Sequence, residues 1–217
     1  QFPAGPPQGK LAPSGGSEPH AVGSVGAIST LMFSLGLPLA PVDWSGLSLA
    51  VGVSVAQSLH SDVRLKWPND LWLPGQGIGQ APDRKLGGIL VETAATAPGG
   101  ARWVVVGVGI NVAPRSADGL SIPPAWMQLL EPGADAPSLL QRVAAPLIAT
   151  VRRFEQAGFA PLQNRFNQRD ALLGRALRLS DGTEGIGQGV DEFGALVVAT
   201  VSGVVKITSS EVSVRPA

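Results

Sequence analysis

The order of apolar and polar positions divides the chain into three unequal parts. Residues 1–26 set few large apolar side chains among Gly, Pro and Ser, too few to offset their ordering entropy, and read as a loop or mobile arm. Residues 27–173 carry the α/β pattern. "AISTLMFSLGL" (27–37) reads as a buried strand. Over 44–60, Leu47, Val51, Val55 and Leu59 recur at a strict spacing of four, one face of a helix, with Asp43 ahead of it as N-cap. A strand follows at 63–67, a second apolar run at 71–73, a Gly/Pro/Gln loop at 74–82, and a strand from Lys85 to Thr93. "RWVVVGVGINVA" is a nearly continuous apolar strand of the kind buried on both faces, closing in a Gly107-x-Gly109 turn and Asn111. Residues 114–136 form an irregular, Pro-rich connection. A helix runs from Ser138 to about Ala157 with Leu140, Val143, Leu147, Val151 and Phe154 facing inward and Pro146 bending it. Over 174–217 turn signals return at short intervals between β-rich runs, the pattern of a small antiparallel barrel.

Composition narrows the function classes. The formal net charge is zero and no run of Lys and Arg occurs, which argues against a general nucleic-acid binder. Cysteine is absent, so disulfides, Cys-ligated zinc and thiol catalysis are excluded. His20 and His60 alone do not make a histidine metal cluster or a Ser-His-Asp triad. The longest apolar runs fall far short of the roughly 20 residues that span a bilayer, and no charged-then-apolar leader opens the chain. The expectation is a cytoplasmic protein without membrane partners.

One stretch breaks the apolar pattern in an informative way. "RLKWPNDLWLPG" (64–75) threads Lys66, Asn69 and Asp70 between Leu65, Trp67, Leu71, Trp72 and Leu73. Two further polar islands sit at strand ends, Arg84 with Lys85 and Asn111 after Gly107-x-Gly109. Each has a structural reading: Pro-Asn-Asp is ordinary turn chemistry, a strand often starts on a solvated lysine, and Gly-x-Gly marks a bulge or tight turn. Brought together on one sheet, a cation, an amide, a carboxylate and exposed backbone N–H groups suit a phosphate and its magnesium. Neither standard nucleotide fingerprint is present.

"KWPNDL", then "RKLGGILVE", then "VVGVGINV", in that order and spacing, resembles the signature series of the biotin protein ligases, and the likeness extends over about residues 27–217. The resemblance implies an α+β fold: a catalytic domain related to class II aminoacyl-tRNA synthetases and lipoate ligases, then a small Src-homology-3-like β-barrel. It implies ATP- and magnesium-dependent activation of biotin to biotinyl-5′-AMP, then transfer to a lysine of the biotin carboxyl carrier protein of acetyl-CoA carboxylase. By the same resemblance, Lys85 is the catalytic lysine that holds the biotin carboxylate. Gly87, Gly88, Ile89, Gly107 and Gly109 line the biotin pocket. Lys66, Asn69, Asp70 and Asn111 surround ATP, with Asp70 reaching Mg2+. No helix-turn-helix precedes the core, so no DNA partner is implied; a homodimer is compatible with the resemblance.

The chain also departs from the family. The Ser-Thr-Asn segment that touches biotin and the arginine-rich, glycine-rich closing loop have no counterpart; "QFPAGPPQGKL" echoes the loop without its arginines. The expectation is a fragment whose N-terminal part is missing or unreliable, the alternative being a member that has truly diverged there, and no site residue is assigned before Ala27. Two alternatives are a non-catalytic biotin- or nucleotide-binding relative and a lipoate-type acyltransferase on the same scaffold.

Overall fold

A computed structural model describes residues 29–75, 82–96, 100–208 and 214–216; the arm expected over 1–26 lies outside them. The first sheet has five antiparallel strands: β1 (Thr30–Leu39), β2 (Arg64–Lys66), β3 (Asp70–Leu73), β4 (Arg84–Thr96) and β5 (Arg102–Asn111), in the order β1-β5-β4-β3-β2. Two neighbouring rows of the register define its faces. Leu31, Ile110, Gly87, Leu71 and Leu65 lie side by side and are buried; Met32, Gly109, Gly88, Asp70 and Lys66 form the next row, on the opposite face. Because successive side chains alternate, the long apolar run of β5 is not buried on both faces as expected. Val104, Val106, Val108 and Ile110 are buried, whereas Val105, Gly107 and Gly109 are only partly covered. Gly107 and Gly109 sit inside this strand and not in a turn.

Helices cover the first face. Helix α1 (Leu47–Leu59) buries Leu47, Val51, Val55 and Leu59 as the spacing predicts, but also Leu49, Ala50, Gly52, Val53, Ser54 and Ala56. It lies between the sheet and α2 (Ala136–Ala157), so more than one stripe needs an apolar surface. Asp43 does not cap it. Its Oδ1 accepts from the Ser45 N–H at 2.8 Å, holding a turn one step upstream, and Gly46, at φ 78°, occupies the cap position. At the other end Arg169 donates to the carbonyls of His60, Ser61 and Val63. In α2 the N-cap is Asp135, whose side chain accepts from Ser138 N–H at 2.8 Å. The inward residue of its first turns is Leu139, not Leu140, which is exposed; Val143, Leu147, Val151 and Phe154 are buried as expected, and Pro146 lies within an unbroken 22-residue helix.

A short helix, α3 (Gln163–Asn167), leads to the second sheet: β6 (Ala176–Leu179), β7 (Glu184–Val190), β8 (Leu196–Thr200), β9 (Gly203–Ile207) and β10 (Val214–Pro216), ordered β10-β6-β7-β8-β9. The small antiparallel β domain expected over 174–217 is present, its described residues pairing as these five antiparallel strands. One apolar core runs through both parts, and the Trp67 Nε1–H, buried, donates to the Gly194 carbonyl at 3.1 Å across the junction. No described helix is long and apolar enough to cross a membrane.

Candidate functional site

The middle strands of the first sheet place the chemistry. β2 and β3 form a hairpin whose turn is Trp67-Pro68-Asn69, and its register sets Lys66 opposite Asp70. β4 then sets Gly88 beside Asp70, and β5 sets Gly109 beside Gly88. Lys85 Nζ lies 2.6 Å from Asp70 Oδ1; a register shift between Leu71 and Trp72 interrupts the β3–β4 pairing just between these two residues. The result is an ammonium held by a carboxylate, beside glycine backbone on the uncovered face.

A cavity of about 480 Å³ opens there, walled by Thr30 and Met32 of β1, Lys85, Gly87 and Gly88 of β4, and Gly109 and Asn111 of β5. Its far wall is the connection after β5, including Arg115 and Leu120 to Ile122. A side chain at Gly109 would meet nothing within 4 Å, and the nearest atoms to one at Gly88 would be those of Lys85 and Asp70, at 3.7–3.8 Å. The two glycines therefore leave open space. Gly87 differs: a Cβ there would collide with the Gly109 carbonyl oxygen, so its missing side chain serves strand packing.

The residues expected around a ligand are only partly brought together. Lys85, Gly87, Gly88, Gly109 and Asn111 line the cavity, and Asp70 joins it through Lys85. Ile89 points to the other face, where it is buried near Gly52 of α1, and Gly107 abuts Leu90 and Ser34. Asn69 Nδ2 donates to the Ile89 carbonyl at 2.9 Å and its own carbonyl accepts the Ile89 N–H, so it ties the hairpin turn to β4; it lines a separate cleft of about 420 Å³ under the start of α1. Lys66 Nζ rests 5.4 Å from the Trp72 ring, a cation–π contact.

The connection at 114–126 is more ordered than its composition suggests. Lys85 N–H donates to the Pro123 carbonyl and the Ala125 N–H donates back to the Lys85 carbonyl, each below 3 Å, so the segment pairs with the start of β4 as a short parallel bridge. Trp126 also receives the Arg84 guanidinium, 5.0 Å from its ring. Asn111, 7% exposed, donates to the Ala125 carbonyl and accepts from Arg115. Sequence reading missed Arg115, Trp126 and the wall at 120–124; a single arginine in a Pro-rich stretch carries no periodic signal.

The chain is similar to known proteins in sequence and in fold. A family model described as the biotin protein ligase C-terminal domain matches residues 173–215. The chain is 36% identical over 182 residues to the bifunctional ligase/repressor BirA of Escherichia coli K12, covering 79% of this chain and 54% of that protein. It is 31% identical over 195 residues to the biotin--[acetyl-CoA-carboxylase] ligase of Paracoccus denitrificans, covering 86% of this chain and 74% of that protein. The chain spans about half the length of the BirA relatives it matches. Its fold is similar to that of a biotin protein ligase from Aquifex aeolicus solved with biotin and ATP, at TM-score 0.69 and 24% identity over 87% of this chain and 79% of that one. A biotin protein ligase-like protein from Silicibacter gives TM-score 0.63 at 22% identity, over 84% and 80% of the two chains.

Proposed function

The chain belongs to the biotin protein ligase family, and from that membership we propose that it activates biotin with ATP and passes the acyl group to a lysine of the biotin carboxyl carrier protein. The observation that carries the reading is the Lys85–Asp70 pair at 2.6 Å, set where Gly88 and Gly109 leave the floor of a cavity bare. An incoming carboxylate competes with Asp70 for the ammonium, and the glycines give it room to approach.

In the first step a biotin carboxylate oxygen attacks the α-phosphorus of ATP. The bond to the bridging oxygen breaks and pyrophosphate leaves with the electron pair, giving biotinyl-5′-AMP. Lys85 offsets negative charge on the carboxylate and the reacting phosphoryl oxygens without transferring a proton. In the second step the carrier lysine's amine attacks the acyl carbon, the bond to AMP breaks, AMP leaves with the pair, and the amine loses a proton to solvent.

The residues also fit a magnesium ion of one kind. No group of three or more His, Cys, Asp or Glu is poised to hold a metal among the described residues, so a cage made of protein alone is not supported. Mg2+ bound mainly by nucleotide phosphates and water needs only one or two carboxylates, and Asp70 would supply one. Bound there, it adds positive charge against the triphosphate.

The test is biotin-dependent exchange of labelled pyrophosphate into ATP, followed by a blot for biotin on a carrier domain. Exchange with biotin and labelling of one carrier lysine are expected. Exchange with lipoate instead would replace the substrate. A folded protein that binds biotin but exchanges nothing would be a non-catalytic binder.

A further inference from the structure

Arg115 is a cation at the cavity that the activity above leaves without a role. Its Nη1 donates to Asn111 Oδ1 at 2.9 Å, and it forms no ion pair with a carboxylate among the described residues. The cations near it are engaged otherwise: Lys85 on Asp70, Arg84 over Trp126. The wall of the cavity carries two charged side chains, Lys85 and Arg115, and no carboxylate. Since Asp70 neutralises Lys85, the uncompensated positive charge of the wall is that of Arg115.

Asn111 has no freedom in how it meets Arg115. Its Nδ2 donates to the Ala125 carbonyl at 2.9 Å and to the Lys85 carbonyl at 3.3 Å. Both amide hydrogens are used, and a flipped amide would set its oxygen against two carbonyl oxygens in a nearly buried site. The Oδ1 therefore turns to Arg115. A guanidinium has five N–H donors, so about four remain for a ligand in a planar fork suited to phosphate.

The geometry points to Arg115 as a residue that binds phosphoryl oxygens of the nucleotide, with Asn111 as its positioning residue. The nucleotide's identity rests on the ligase reading; an anion site at Arg115 does not. Lys85 then serves the carboxylate and Arg115 the phosphates, from strands β4 and the segment after β5 that share one hydrogen-bonded junction at Lys85, Asn111 and Ala125.

Calorimetric titration of the full-length protein with inorganic pyrophosphate, ATP and biotin tests this. Arg115→Ala should weaken pyrophosphate and ATP binding about 10- to 100-fold, the loss of one charge-assisted contact. Its binding should also depend less on salt, and biotin affinity should stay at the wild-type value. Arg115→Lys should recover part of the loss, since it restores charge but not the fork. Asn111→Ala should weaken pyrophosphate binding in the wild type and add little on top of Arg115→Ala. Unchanged pyrophosphate and ATP affinity in Arg115→Ala overturns the inference, as does an equal loss for biotin and pyrophosphate or a wild-type protein that binds neither phosphate probe. A wild-type protein that binds pyrophosphate at Arg115 but no biotin would sink the ligase reading and leave the anion site standing.

Discussion

Gly87 and Gly88 are neighbours on one strand, yet the same substitution should do opposite things to them. A methyl group at Gly87 collides with the Gly109 carbonyl oxygen of β5 and crowds Ile110 Cα at 3.3 Å. Those are backbone atoms in the middle of a sheet, so the strands must separate or slide. Overpacking of this kind costs typically 1–3 kcal/mol, and a rigid backbone neighbour places it near the top, about 3 kcal/mol. For a chain of this length that lowers Tm by roughly 6–12 °C. At Gly88 the atoms nearest the new methyl group would be Asp70 Oδ1, Lys85 Cε and Lys85 Nζ at 3.7–3.8 Å, ordinary contact, and the backbone there is not left-handed. Gly88→Ala should leave the fold intact or raise its stability by about 0.4–1 kcal/mol through the unfolded chain. The methyl would instead occupy ligand space, weakening biotin by about 10- to 100-fold if the cost is that of a methyl forced into a fitted site. Thermal melts and biotin titrations of both variants make the comparison. A Gly87→Ala protein that melts with the wild type would refute the close approach of β4 and β5. A Gly88→Ala protein with wild-type biotin affinity would refute the cavity as the biotin site.

Three further outcomes are expected. Lys85→Ala should slow single-turnover adenylate formation about 10²–10³-fold, the loss of one preorganised donor, with the fold kept; a normal rate would remove Lys85 from the chemistry. Burial pushes the Asp170 carboxyl up to about 6, while its Leu172 N–H bond pulls the other way, and its Oδ2 lacks a partner among the described residues. The folded state therefore binds the proton more tightly than the unfolded chain, so this group's contribution falls as pH rises from about 4 to about 6 and stays lost above. Asp170→Asn should remove that slope and stabilise the protein near pH 7 by about 2–3 kcal/mol in urea titrations across pH; an unchanged slope would contradict it. Arg169→Ala strips the carbonyls of His60, Ser61 and Val63 of one shared donor and should cost about 1.5–3 kcal/mol, read as a lower urea midpoint with unaltered biotin binding. An unmoved midpoint would mean that water replaces the guanidinium there.

The sequence by itself determined what local periodicity and composition can determine. Spacing of four set α1, continuous apolar runs set β4 and β5, and recurring turn signals set the small second sheet. Three short motifs in order were enough to name the family, and the resemblance they carry proposes Lys85, Gly88 and Asn111 as site residues. What tertiary structure decided is direction. The run of β5 is apolar throughout, yet only one face meets the helices, since α1 and α2 cover one side of the sheet. Gly87 and Gly88 look equivalent in "KLGGIL", but the alternation of a strand turns one toward a neighbouring backbone and the other toward open space. Asn69 and Asp70 are adjacent as well; one side chain ties the turn to β4 and the other meets Lys85. Arg115 was invisible in a Pro-rich connection, and it matters only because Asn111, 4 residues earlier and nearly buried, has its amide fixed by carbonyls from two distant segments. Periodicity reports which residues share a face, and long-range packing alone fixes which face is covered and which stays open.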